Sequence, residues 1–228
     1  EKRFRYALIN QGFDILNVRL TDEVPDNIKI LVIAEMKEPL TETEEINLER
    51  YIARGGNLFI TCEPKRSEIM NVLLEKFGVR LVTGTLVQLS ENFSPDLIVA
   101  QPSQEAAKLN YYFDGMKQNN RCLVMSGAAG LEYDRNNEYN VIPLFISDSL
   151  SWNEVETTNF VDERPVLSVS VGEMQKSYAT VLALSREINN KEQKIMILGD
   201  ADCISNGELS MHRRGISASN YTVIMGGF

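Results

Sequence analysis

The spacing of apolar and polar residues along the chain changes period several times, and the changes mark out helices and strands in alternation. Residues 28–64 carry the plainest signal: IKILVIAEMKEPLTETEEINLERYIARGGNLFITCEP. Ile30 to Ala34 is a continuous apolar run, which suits a strand covered on both faces. Thr41 followed by Glu44 is a capping box, in which the hydroxyl accepts the third amide and the carboxylate returns to the cap amide. Leu48, Tyr51 and Ile52 fall on one helical stripe. Gly55 and Gly56 then supply the left-handed exit a helix needs. Leu58, Phe59 and Ile60 resume a buried strand. Two apolar strands joined by one helix predict a right-handed crossover and a parallel pair.

Before this unit, residues 1–11 read as a helix with Phe4 and Leu8 one turn apart, stopped by Gly12. Residues 13–20 read as a strand with one wetter face. A helix standing first in an α/β chain predicts an excised fragment whose opening strand lies elsewhere. After the unit, Ile69, Met70, Leu73 and Phe77 make the stripe of a second helix over 67–77, ended by Gly78. Residues 79–82 and 85–89 read as short strands in a hairpin-like excursion about Gly84. Apolar runs at 96–100, 123–125, 141–146, 178–184 and 195–198 read as further strands, and 103–119 is open between helix and loop. Residues 153–164 read as an acidic, polar linker. The pattern predicts one α/β domain over 1–228, a mostly parallel flavodoxin-like sheet with helices on both faces. A less regular β-containing insertion or subdomain is expected at about 83–177.

Length changes this picture little: 228 residues can bury roughly 70–75% of the unfolded surface, so no disulfide or metal is needed to fold. A formal charge of -9 argues against nucleic acid, whose phosphates want a cationic surface. No apolar run approaches the ~20 residues that span a bilayer, and no signal-peptide pattern opens the sequence. Cys62, Cys122 and Cys203 each lie in or beside apolar strands, at no zinc or redox spacing, and read as buried free thiols.

Several segments, in order, resemble the gliding-motility-type accessory proteins of ABC transporters. These are the strand–helix–Gly-Gly–strand unit above, Pro143-Leu144-Phe145 with Ser149-Leu150-Ser151-Trp152, and KIMILGDADCISN over 194–206. The resemblance implies a fold like the class I glutamine amidotransferases and a non-enzymatic, extracytoplasmic (periplasmic) domain. It implies anchoring by transmembrane segments outside this sequence and work beside an ABC permease and ATPase, by protein or substrate recognition. No cofactor is implied. An amidotransferase-like hydrolase or a sugar-binding domain of the same fold is the alternative.

The chemistry the residues offer is sparse. Cys62 follows a buried strand, but Glu63 and Pro64 stand where a nucleophile elbow wants small residues, and the one histidine, His212, lies in a polar stretch. No catalytic set is assigned. Asp200 and Asp202 follow a buried strand at a sheet edge, two residues apart, where open α/β folds place ligands. They are ligand-binding candidates with Asn206 and Trp152. The alternatives are helix capping and loop support for the aspartates, a metal site that would need more oxygen ligands, and a loop anchor for Trp152. Tyr111, Tyr112 and Phe113 are core or contact patch, and Glu42, Glu44, Glu45 and Glu49 a solvated helix face.

Overall fold

The computed structural model describes residues 9–135 and 138–228. Its first regular unit follows the sequence pattern. Strand β1 (Ile30–Ala34) leads to helix α1 (Glu42–Ala53) and then β2 (Asn57–Thr61), which pairs with β1 in parallel. Both arms of the capping box form: the Thr41 hydroxyl accepts the Glu44 amide at 3.4 Å, and the Glu44 carboxylate accepts the Thr41 amide at 2.8 Å. Helix α1 buries Leu48 and Tyr51 and leaves its glutamates toward solvent.

Beyond β2 come α2 (Ser67–Leu74), β3 (Val79–Leu81), β4 (Thr85–Val87), β5 (Leu97–Pro102), α3 (Gln104–Leu109) and α4 (Tyr111–Gln118). They are followed by β6 (Leu123–Ser126), β7 (Leu131–Tyr133), β8 (Asn140–Ile146), β9 (Trp152–Glu154), β10 (Ala179–Ile188), β11 (Lys191–Leu198) and α5 (Asn220–Gly227). The main sheet runs β1-β2-β11-β10-β8-β5-β6, with β7 on β10 and β3 on β7. Only β1–β2 and β2–β11 are parallel; every other pairing is antiparallel.

This overturns the mostly parallel flavodoxin-like, glutamine-amidotransferase-like sheet the sequence predicts. The protein is a mixed α/β fold dominated by a mostly antiparallel sheet with a few short helices. The physical reason is that a continuous apolar run reports burial on both faces, not strand direction. The first half of β10 and the last half of β11 are largely buried, yet the two strands form a two-residue hairpin closed by Asn189 and Asn190, at φ 52° and 58°. That is the mirror-image turn whose twist matches antiparallel strands.

Alternation through the sheet divides the core. Phe59, Val181, Met196 and Leu198 face the layer of α3, α4 and α5; Leu58, Ile60, Leu182, Leu184, Ile195 and Ile197 face α1 and α2. Three local expectations also change. Of the helix over 1–11, only its end at Ile9 and Asn10 lies among the described residues. Residues 13–20 join no ladder; Phe13 and Ile15 pack on one core, Val18 and Leu20 on the other, so alternation served packing without pairing. β3 and β4 make no hairpin, since β3 pairs with β7 and β4 with β9 in a separate two-stranded sheet. The open stretch 103–119 resolves into two capped helices, with Ser103 and Asn110 accepting amides at 2.9 and 3.1 Å.

Candidate functional site

The three parallel strands end together, with Ala34 beside Thr61 and Thr61 beside Leu198. Each leaves the sheet through acidic residues: Glu35 after β1, Glu63 after β2, and Asp200 and Asp202 after β11. Glu35 takes the left-handed region at φ 36°, its amide still donating to Thr61 at 3.2 Å. Its carboxylate accepts Arg66 Nε at 3.4 Å. Gly199 is required where β11 turns away, because a Cβ there would meet the Ala129 carbonyl oxygen at 2.2 Å.

Asp200 is fully buried and holds this edge together. Its Oδ1 accepts the amides of Asp202 at 2.7 Å and Cys203 at 3.2 Å, and its Oδ2 accepts the Ser126 amide at 3.0 Å, tying the β11 exit to the end of β6. Burial pushes its carboxyl well above the usual carboxylate range and the Glu63 charge adds to this, against the pull of the amide donors. Glu63 Oε1 accepts the Ala201 amide at 3.0 Å. Burial pushes Glu63 up to about 7, opposed by the Ala201 amide and reinforced by Asp202 and Glu35. Asp202 is exposed and opens a single turn, Asp202–Ile204. At this edge Asp202 faces solvent, burial holds Glu63 toward its neutral form, and Glu35 is paired with Arg66. Among the described residues, no group of three or more His, Cys, Asp or Glu side chains is placed to hold a metal ion.

Of the residues singled out from sequence, the structure brings Asp200 and Asp202 to one edge, with Asp200 supporting the turn and Asp202 facing water. Asn206 follows in the next turn, where its carbonyl accepts the Ser210 hydroxyl at 2.7 Å. Trp152 belongs elsewhere. It is buried in β9, paired with Val87, and its indole donates to Glu154 at 3.1 Å, so it anchors a loop. Around it Asn153 receives the Tyr178 hydroxyl at 2.9 Å and the Met174 amide at 2.8 Å, while buried Glu173 accepts the Val155 and Ser168 amides. This is a satisfied polar scaffold.

Sequence reasoning missed Glu63 and Glu35. The signal was present for Glu63, which stands two residues beyond Thr61 as Asp200 stands two beyond Leu198. Cys62 is fully buried, and burial followed by the Glu63 charge pushes its thiol far up, out of the range of a nucleophile. His212 is exposed in the 211–219 loop. Phe113 is core, whereas Tyr111 stands 74% exposed against Tyr112, with ring centroids 4.1 Å apart.

A family model described as an ABC-type uncharacterized transport system matches residues 1–221. No curated protein matches the chain. Among solved structures, the mmIFT52 N-terminal domain is similar with a TM-score of 0.67 at 16% identity, over 97% of this chain and 85% of that one. A ThuA-like protein from Parabacteroides merdae is matched with a TM-score of 0.44 at 11% identity, over 98% of this chain and 81% of that one. At these identities the first likeness bears on the fold alone.

Proposed function

This chain belongs to the family of ABC-type uncharacterized transport systems, and we propose that within such a system it is a non-enzymatic accessory domain of the gliding-motility type, acting by recognition. The observation that carries the reading is the family match across nearly the whole chain. In this reading the domain stands on the extracytoplasmic face of the membrane beside a permease and an ATPase. No described helix is long and apolar enough to cross a bilayer, and the anchor is assigned to further segments of the protein.

The recognition surface in this proposal is the carboxyl edge of β1, β2 and β11. Asp202 faces solvent, Glu63 and Glu35 lie half-buried near it, and buried Asp200 fixes the turn that displays Asp202. Carboxylates placed here would favour a cationic counterpart and speed its approach more than they add affinity, and salt would weaken the effect. The sealed thiol of Cys62 supports recognition over hydrolysis. Purification of the full-length protein from its own membranes tests the role: an ABC permease and ATPase are expected to accompany it. A protein recovered without either would overturn the proposal.

A further inference from the structure

At the opposite end of the sheet from the acidic edge lies a cavity of about 240 Å³, between the sheet and the layer of α3, α4 and α5. The strand register sets its chemistry. On this face Ile142 of β8 stands beside Ala183 of β10, and Ala183 beside Met196 of β11, giving an apolar floor. One step further out on the same face, Asn140 stands beside Ser185 and Ser185 beside Lys194, whose amide donates to the Asn57 side chain at 2.8 Å. Leu109 and Phe113 form one wall; the other is Phe228, which stacks on Phe59 at 5.0 Å.

We propose that this cavity binds a small single-chain amphiphile with an uncharged, hydrogen-bonding head. The apolar body would lie over half-buried Ile142 and Ala183, with buried Met196 at the base of the cavity, where apolar surface gains from being covered. The head would meet the polar row. Among the described residues neither the Asn140 amide nor the Ser185 hydroxyl makes a side-chain hydrogen bond, so both are open to a ligand. The row carries no net charge, because Lys194 is paired with Glu192 at 3.1 Å. A charged head would have to compete with the Lys194–Glu192 pair and give up its own hydration for no net counter-charge, whereas an alcohol, amide or sugar gives up less. The site is independent of the recognition role proposed above.

The test is a titration of the isotope-labelled chain with n-octyl glucoside below its micelle concentration, read at the methyl groups of Ile142 and Met196. Octanoate and octylammonium serve as charged analogues of equal chain length. One saturating site is expected for the glucoside, about tenfold tighter than for either analogue. Ala183→Leu, which fills the floor, should weaken the glucoside about tenfold. Because that change could disturb β10, Ser185→Ala is the second variant, and it should narrow the gap between the glucoside and the charged analogues. An absence of saturable shifts in the wild type, or unchanged binding in both variants, overturns the site. Equal affinity for all three heads overturns the uncharged-head assignment.

Discussion

Among the single residues of the acidic edge, Glu63 has the property most open to measurement. Its folded pKa, near 7 against an ordinary 4.5, means that folding disfavours the ionised form. The stability it contributes is therefore fully present below about pH 4.5 and lost as the pH rises to about 7. Glu63→Gln cannot ionise and can still accept the Ala201 amide. It should exceed the wild type by about 1 kcal/mol at pH 8, a figure discounted for the part-exposed carboxyl, with the gap closing toward pH 4. Chemical denaturation of both proteins at the two pH values measures it; a gap that does not change with pH would refute the burial of this charge. The cysteines give a second residue-scale check. Cys62, Cys122 and Cys203 are buried, and burial raises all three thiols. Iodoacetamide at neutral pH should leave them unmodified in the native protein and label all of them in denaturant.

At the scale of elements, the turns and caps decide where the chain reverses. Asn189 and Asn190 both sit in the left-handed region, where glycine is tolerated better than any side chain. Asn190→Gly should therefore raise stability by about 0.5 kcal/mol, visible as a higher denaturation midpoint. Thr41→Ala should cost about 1 kcal/mol by removing one arm of the capping box on α1. Gly199→Ala should be the most damaging of these, about 3 kcal/mol, because its Cβ would collide with the backbone of Ala129 rather than with a movable side chain. The capping box and the left-handed exit were legible because their signals are local, though only Gly55, at φ 85°, takes that conformation. The antiparallel hairpin was not, since its two asparagines also suit an ordinary loop. Residues 13–20 show the converse: a strand-like alternation that packs on both core layers and pairs with nothing.

For the whole molecule, burial could be read from the sequence but strand direction could not. Ile195 to Leu198 was rightly placed inside the sheet, yet nothing in its composition says that it lies parallel to β2 on one side and antiparallel to β10 on the other. The acidic edge was half-visible for the same reason. Asp200 and Asp202 announce themselves after an apolar run, but only the register brings Glu63 and Glu35 beside them. Trp152, grouped with them by rarity, is held by Glu154 in another sheet.

Recognition through that edge is open to one direct binding measurement. The domain is immobilised and challenged with the detergent-solubilised permease and ATPase of its transport system. Wild type is compared with a Glu63→Lys, Asp202→Lys double variant checked for unchanged fold. Saturable, salt-sensitive binding is expected of the wild type and a loss of at least about tenfold in the variant, mainly through slower association. Equal binding by the two proteins, or none by the wild type, would contradict it.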